Sequence, residues 1–461
     1  MPGQGPLTIA ILGGGSLFVP GLVAAMCGKP QVFGSGEIRL HDIDPERVAV
    51  VKEFCEKLVK ASDVPMSFSA QPDLERSLDG ADFVIATFRI GGERSTILDE
   101  TIPPRFGYYG EETTGPGGLF MAMRTVPVIV DVARKMERFC PDAWLVNYAN
   151  PASFLADAVC RTTRINTVSL CDGYTEGRDH IAVTLGLPSE RVSTLHAGLN
   201  HFSWIYRAED TETGQDLLQQ LREADPAVIQ DNLSRENAFN RYHIQRGHSI
   251  FKMYGVYPSI TDHMDCYFYL DEARAGQLAN DETVYESMID EEQIRANWAD
   301  LKAVVADFSL EGAHRVAFGH ETYAADLGVH SDLAVGVIDS IVTDAGALWA
   351  VNVPNVGAIP GVEPDTIVEL YARVDGHSCT PLVTPPLPDS IVARMSHLVA
   401  HQKLAVSGIL AKDHNTVLEA LSIHPWTTSL DRARECYEAM LEEERSLLGA
   451  YWDDVPGPDG G

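Results

Sequence analysis

Three side chains between residues 147 and 201 have the types and positions that a metal and substrate site needs. Asn150, Cys171 and His201 lie in the stretches NYANP (147–151), SLCDG (169–173) and HAGLNHF (196–202). A thiolate and an imidazole suit a first-row transition metal, and two protein ligands leave coordination positions for a substrate's hydroxyl groups. Spacing alone is also compatible with a buried structural cysteine and a satisfied structural histidine.

Two apolar runs must position these side chains. Residues 143–147 (AWLVN) and 166–170 (NTVSL) have the composition of buried parallel strands. Side chains just beyond such strands point into the ligand crevice of an open α/β sheet. Asn150 and Cys171 are therefore expected to converge there with His201.

A glycine turn near the start of the chain predicts a dinucleotide site. The apolar run at 7–12 leads directly into four small residues: Gly13, Gly14, Gly15 and Ser16. Glycines let the backbone approach a pyrophosphate, which the N-terminus of the following helix favours through its free N–H groups. Phe18 takes the place of the third glycine of the fingerprint, so a purely structural turn is the alternative.

The second predicted strand strengthens this reading. Residues 37–41 end at Asp42, where a carboxylate can accept hydrogen bonds from the adenosine ribose and discriminate against a 2′-phosphate. The predicted cofactor is NAD. A third strand at 81–87 ends near Arg89, which is expected to face the cofactor.

The segment 102–124 is rich in Gly, Pro and polar residues and carries the adjacent acids Glu111 and Glu112. We interpret it as an ordered functional loop, with a plain surface loop as the alternative. Four arginines lie on or near the loops that flank the predicted crevice: Arg89, Arg94, Arg105 and Arg124. They could bind an anionic substrate group or form surface salt bridges.

Strand and helix patterns alternate from residue 7 to about 190, which predicts an α/β fold with a Rossmann-like, doubly wound parallel sheet. Longer helical stretches, among them 215–229, then predict a second, α+β domain. We assign 6–190 to the NAD-binding domain, 191–450 to the substrate-binding domain and 451–461 to a flexible tail. Asp262 lies in the second domain at a predicted helix N-terminus, where an N-cap is its alternative role.

Composition excludes several classes of partner. The 461 residues include 66 acidic and 35 basic side chains, a net charge of −31, which argues against nucleic acids and anionic membranes. Eight scattered cysteines without a C-x-x-C pair, and no signal peptide or long apolar run, predict a soluble protein of the reducing cytoplasm.

Several stretches together resemble one family, the NAD-dependent glycoside hydrolases of family four. They span nearly the whole chain in the family's order: ILGGGS (11–16), HDID (41–44), EETTGPGG (111–118), NYANP (147–151), LCD (170–172), GLNH (198–201) and NVPNVG (352–357). Redox-assisted enzymes of this family are an exception to two-carboxylate glycoside hydrolysis.

The resemblance implies that NAD⁺ takes a hydride from C3 of the sugar and that a base removes the C2 proton. The aglycone then leaves by elimination, water adds and the hydride returns. Cys171 and His201 resemble the ligands of a divalent metal, usually Mn²⁺, and Asn150 a substrate ligand. Asp262 resembles an acid/base residue, and Tyr257 or Tyr267 is implied as the C2 base.

The resemblance also implies a homo-oligomer, either a dimer or a tetramer. Substrate contacts are expected from five residues: Asn150, Glu111, Glu112, Arg124 and His263. The chain departs from the family at Asp172, where His or Asn is common, and this acid would repel a 6-phosphate if it faced the pocket.

The predicted function is hydrolysis of a hexoside that carries an anionic C6 group: a uronide, a sulfoquinovoside or a 6-phosphoglycoside. The alternatives are a neutral α-galactosidase or α-glucosidase and a plain NAD-dependent dehydrogenase. A non-enzymatic NAD-sensing protein is a third reading, which the joint presence of Asn150, Cys171, His201 and Asp262 disfavours.

Overall fold

One mixed β-sheet connects both halves of the chain in a computed structural model that describes residues 5–285, 287, 290–318, 324–453 and 457–458. In this part of the chain the sheet has twelve strands: β1 Thr8–Leu12, β2 Glu37–His41, β3 Ser67–Ala70, β4 Phe83–Ala86, β5 Trp144–Asn147, β6 Asn166–Ser169, β7 Val192–Leu199, β8 Phe202–Asp210, β9 Tyr257–Pro258, β10 Ala347–Pro354, β11 Ile367–Val374 and β12 Cys379–Pro381.

The helices cover both faces of this sheet. They are α1 Phe18–Cys27, α2 Pro30–Phe33, α3 Pro45–Ala61, α4 Leu74–Leu78, α5 Gly92–Thr101, α6 Gly115–Phe139, α7 Ala152–Thr162, α8 Tyr174–Leu185, α9 Leu217–Glu223, α10 Pro226–Leu233, α11 Ala238–Tyr254, α12 Thr261–Met264, α13 Leu270–Leu278, α14 Glu291–Ala306, α15 Leu310–Phe318, α16 Ala324–Thr343, α17 Asp389–Ala411, α18 His414–Ser422 and α19 Leu430–Leu448. Short 3₁₀ turns occur at Pro103–Phe106, Ser189–Arg191 and Asp265–Tyr267.

The first six strands are parallel and lie in the order β3-β2-β1-β4-β5-β6. Strands β4 and β5 are buried at every position, as expected for a sheet with helices on both faces. This is the strand order of a doubly wound dinucleotide-binding fold, so the predicted fold class is confirmed. Ligands of such sheets bind beyond the carboxyl ends of the strands.

The second half extends the same sheet with antiparallel strands. Strand β10 pairs with β6, and the order continues β10-β11-β7-β8-β9. The predicted domain boundary between residues 190 and 191 falls just before β7. Strands from both halves of the chain belong to one sheet, so this boundary stays a prediction. The predicted tail at 451–461 lies partly outside the described residues.

Two predicted elements differ from the structure. The single helix predicted over 215–229 is two helices, α9 and α10, because Pro226 disfavours a helical conformation at Asp225, which instead caps α10 through a hydrogen bond from Ala227 N. The loop predicted over 102–124 ends earlier, since α6 begins at Gly115.

Among the described residues, one helix is long and apolar enough to cross a membrane by composition, and it is α6. Of the apolar 18-residue window within α6, 83% is buried in the fold, so α6 acts as a core helix. It packs between the parallel sheet and the C-terminal helices α17 and α19.

Candidate active site

A cleft of about 570 Å³ lies at the carboxyl end of β1, beside the glycine turn. Gly13 has a φ of +91°, and a Cβ there would lie 2.7 Å from Thr87 Oγ1. A Cβ on Gly15 would lie 2.9 Å from Arg47 Cβ. Larger residues would therefore close the turn onto β4 and α3, so the glycines keep a cradle in which a pyrophosphate can meet the backbone.

Asp42 lies at the rim of this cleft and is half-buried. Its Oδ2 accepts a hydrogen bond from Gly15 N at 3.0 Å, and its Oδ1 accepts one from Asp44 N at 3.0 Å. The carboxylate thus fixes the glycine turn, and its remaining lone pairs face the cleft. Ser16 also lines the cleft, and its Oγ accepts a hydrogen bond from Phe18 N at the start of α1.

The cleft wall includes two side chains from α14 that sequence reasoning missed, Ile294 and Trp298. Arg47 stacks over the Trp298 ring at 5.0 Å. No local motif marks these residues, because they reach the cofactor cleft from the second half of the chain.

Arg89 faces the cleft, as predicted, and is held there by a buried acid. Its Nη2 donates to Glu112 Oε1 at 3.0 Å and its Nη1 donates to Thr96 Oγ1 at 2.5 Å. Glu112 is 1% exposed and pairs with Arg89 through both oxygens. This pairing corrects the expectation that Glu112 contacts a substrate: its carboxylate orients Arg89 instead.

Cys171 and His201 come together beyond the ends of β6 and β7, with Sγ 3.6 Å from Nε2. Bonds of roughly 2.3 Å to sulfur and 2.1 Å to nitrogen at a tetrahedral ion would place the two atoms about 3.6 Å apart. The Thr113 hydroxyl lies 2.6 Å from His201 Nδ1 and leaves Nε2 facing the thiol. The pair therefore fits the donor set and spacing of a transition-metal site.

The pKa shifts of Cys171 and His201 are also compatible with binding of a metal cation. Burial lowers the pKa of His201 to about 4, so the imidazole is neutral and can act as a ligand. Burial, Glu369 and Asp172 raise the pKa of the Cys171 thiol, against hydrogen bonds from the Gly173 backbone and the Asn200 amide. A divalent cation is the charge that would favour the thiolate here.

Glu111 and His263 complete the cluster around His201. The ligating atoms of Glu111, His201 and His263 all lie within 4.8 Å of one another. Glu111 accepts hydrogen bonds from Thr113 N at 2.9 Å and from Thr113 Oγ1 at 2.5 Å, and it pairs with His263 Nε2 at 3.2 Å. Sequence reasoning missed Thr113, although the EETTGPGG stretch contains it.

His263 bridges two carboxylates. Its Nδ1 lies 2.7 Å from Asp262 Oδ1, and its Nε2 faces Glu111. Burial alone would lower the pKa of His263, but Asp262 and Glu111 raise it well above the ordinary value. Burial would raise the pKa of Asp262, yet His263 holds it far below its usual range. These opposite shifts favour a protonated imidazole beside an ionised Asp262.

The two candidate tyrosines lie in different surroundings. Tyr267 is half-buried, and its hydroxyl lies 2.7 Å from Thr114 Oγ1, next to Glu111. Tyr257 is fully buried in an apolar cluster with Ile181 and Phe251, and its hydroxyl has no hydrogen-bond partner among the described residues. This burial argues against a catalytic role for Tyr257, and the role of Tyr267 stays a prediction.

Asn150 lies half-buried in the turn between β5 and α7, three residues beyond β5, while Cys171 lies two residues beyond the neighbouring strand β6. Both side chains therefore start from the carboxyl edge of the sheet, as predicted. The role of Asn150 as a substrate ligand stays a prediction.

Arg124 is not available to a substrate. Its guanidinium is fully buried between Asp99 and Glu444, with an Nη2–Oδ2 distance of 2.5 Å to Asp99. This burial corrects the prediction that Arg124 contacts the substrate. Arg94 and Arg105 are exposed, on α5 and on the 3₁₀ turn that follows it.

Two family models match the chain. The model described as "Family 4 glycosyl hydrolase" matches residues 8–187, and the model described as "Family 4 glycosyl hydrolase C-terminal domain" matches residues 196–427.

Similar proteins extend over the full length of the chain. The maltose-6'-phosphate glucosidase MalH of Clostridium acetobutylicum is 27% identical over 455 residues, covering 97% of this chain and 99% of that protein. A probable 6-phospho-beta-glucosidase of Bacillus subtilis is 28% identical, with the same coverage. The crystal structure of a 6-phospho-alpha-glucosidase from gut microorganisms, in complex with NAD and Mn²⁺, shares the fold with a TM-score of 0.81, 23% identity and coverage of 96% and 99%.

Proposed function

The chain belongs to the family 4 glycosyl hydrolases. On that premise we propose that it cleaves 6-phosphoglycosides with the help of NAD and a divalent cation, with Mn²⁺ as the first candidate. The observation that carries the proposal is the Cys171–His201 pair, 3.6 Å apart, at the same edge of the sheet as the glycine-lined cleft. A dehydrogenase that transfers hydride without a metal would have no use for a thiol ligand there, whereas a metal-dependent one could use it.

The bound groups would supply chemistry that the side chains lack: NAD accepts and returns a hydride at C3 of the sugar, and the cation polarises the oxygens at C2 and C3. The protein's own part is to hold the sugar between the two sites and to move protons. Asn150 is the proposed partner of a sugar hydroxyl.

Tyr267 is the proposed base for the C2 proton. Its hydroxyl is fixed by Thr114 Oγ1 and lies on the Glu111 side of the cluster. The Asp262–His263 pair is the proposed acid for the leaving oxygen, because it holds a proton between two carboxylates. Removal of the C2 proton expels the aglycone by elimination, and water then adds to the resulting double bond, so that the sum is hydrolysis.

The similar proteins support the substrate class. Two of the relatives described above are named as glucosidases of phosphorylated sugars. Arg89 provides a positive charge in the wall of the cofactor cleft. Other anionic C6 groups, namely uronates and sulfonates, are the second candidate because Asp172 stands beside Cys171, where it would oppose a doubly charged phosphate more than a single charge.

The test is turnover of a panel of 4-nitrophenyl glycosides in D₂O with NAD⁺ and Mn²⁺. The panel comprises both anomers of 6-phosphoglucosides, uronides, 6-sulfonates and neutral hexosides. We expect nitrophenol release from a 6-phosphoglycoside, with deuterium at C2 of the freed sugar and no net NADH. Release without deuterium at C2 would contradict the redox route, and NADH accumulation without release would indicate a plain dehydrogenase.

A further inference from the structure

Glu369 is a buried carboxylate for which the reaction described above has no use. It lies on β11, opposite Gly198 of β7, and is 1% exposed. Oε2 accepts a hydrogen bond from Asn200 Nδ2 at 2.8 Å, and Oε1 accepts one from Ser203 Oγ at 2.7 Å. Burying a carboxylate costs free energy unless such hydrogen-bond donors compensate. A strand position with no role beyond packing would therefore be expected to carry an apolar side chain.

The two donors flank the turn that carries His201. Asn200 and His201 are the only residues between β7 and β8, and Ser203 lies just beyond them on β8. His201 has a φ of +60°, a left-handed conformation that residues other than glycine rarely adopt. The hydrogen bonds from Asn200 and Ser203 to one carboxylate hold the turn from both sides and so fix the direction of the imidazole.

The same Asn200 amide also reaches Cys171. It forms a hydrogen bond with the thiol. One amide nitrogen has two hydrogens, so Asn200 can donate to Glu369 and to Cys171 together. His196 Nε2 lies 3.6 Å from Glu369 Oε1, but burial lowers the pKa of His196 to about 3, so this contact involves a neutral ring.

We propose that Glu369 is a positioning residue of the metal site, which through Asn200 and Ser203 fixes both Cys171 and His201 in the geometry of ligands. The inference rests on the proposed metal site and deepens it. Partners behind metal ligands orient them, and their loss typically costs 10–100-fold in metal affinity.

The test compares Glu369→Gln with Glu363→Gln in the full chain. Glu363 is a matched control, because its side chain is 69% exposed, forms a surface salt bridge with Lys403 and lies just before β11. Mn²⁺ and NAD⁺ dissociation constants are measured by calorimetry, and Co²⁺ is used as a spectroscopic probe of the thiolate. We expect Glu369→Gln to weaken Mn²⁺ binding by about 10–100-fold and to reduce the thiolate-to-Co²⁺ absorption band. NAD⁺ affinity and the control variant should be unchanged.

Asn200→Ala provides a second variant that removes the link while keeping Glu369, and it decides the matter if Glu369→Gln does not fold. Its Mn²⁺ affinity should fall by a similar factor. Wild-type affinity for Mn²⁺ in either folded variant would overturn the role of Glu369. Absence of Mn²⁺ binding in the unchanged protein, with NAD⁺ still bound, would instead refute the metal site on which both proposals rest.

Discussion

Replacing Arg124 by methionine should destabilise the protein without acting on the substrate. Arg124 is enclosed by Asp99, at 2.5 and 3.2 Å, and by Glu444 of α19. All three side chains are fully buried. The substitution keeps an apolar side chain of similar length but leaves two carboxylates facing each other without a cation.

The size of the loss follows from this geometry. Removing one partner of a buried ion pair costs about 3–5 kcal/mol, because the remaining charge stays desolvated. Burial already raises the pKa of Asp99 to about 7, although Arg124 opposes the shift. Without Arg124 that pKa should rise further, so the folded variant binds a proton that the unfolded chain does not. Its stability therefore falls as pH rises, by roughly 1.4 kcal/mol per pH unit for each extra bound proton.

The assay is urea unfolding of the variant and the wild type at pH 6, 7 and 8, read as the difference in free energy of unfolding. We expect a loss of about 4 kcal/mol at pH 7 that is smaller at pH 6 and larger at pH 8. Arg94→Met, at an exposed position of α5, is the control and should stay within about 0.5 kcal/mol of the wild type. A loss of unfolding free energy below about 1 kcal/mol, or a loss that grows as pH falls, would refute the buried cluster. Loss of substrate affinity at unchanged stability would instead support a role of Arg124 in substrate binding.

Four further substitutions test the proposed roles. Tyr267→Phe should lower aglycone release by roughly 10²–10⁴-fold with Mn²⁺ and NAD⁺ affinities retained, and normal turnover would exclude it as the base. Tyr257→Phe should leave turnover unchanged and the free energy of unfolding equal or higher, since the buried Tyr257 hydroxyl has no hydrogen-bond partner in the described part of the chain. A loss of turnover would contradict the conclusion that Tyr257 is not catalytic. Asp42→Ala should weaken NAD⁺ about 10–100-fold in a fluorescence titration, and unchanged affinity would remove Asp42 from the cofactor site. Cys171→Ser should abolish Mn²⁺ binding in calorimetry while NAD⁺ still binds.

The parts of the fold that the sequence predicts are those set by local patterns. Strand β1, the glycine turn and α1 follow from an apolar run, three glycines and a helical spacing within 21 residues, Leu7–Cys27. Side chains at the ends of buried strands were predicted to meet, and the structure places Cys171 and His201 3.6 Å apart. The positions of the glycine turn and of Cys171 need only the parallel sheet and its carboxyl edge, whereas His201 follows β7 in the antiparallel extension.

The misassigned residues depend on contacts that are distant in sequence. Arg124 is of a residue type that often binds anionic substrates. Its partner Glu444 lies 320 positions away in the sequence, so no local pattern reveals that Arg124 is buried. Glu369 likewise reaches Asn200 across 169 positions. Tyr257 and Tyr267 lie ten residues apart, and the sequence does not show which of them is buried. Tyr257 packs into the apolar cluster formed with residues of α8 and α11, and this packing decides its burial.

Glu111 and Glu112 show how adjacent residues of the same type acquire separate roles. Glu111 faces Thr113 and His263 in the cluster around His201, while Glu112 faces Arg89 in the wall of the cofactor cleft. The short segment before α6 thus connects the two sites through its own backbone. A shift of this segment would displace the carboxylates that contact Arg89 and His263 together.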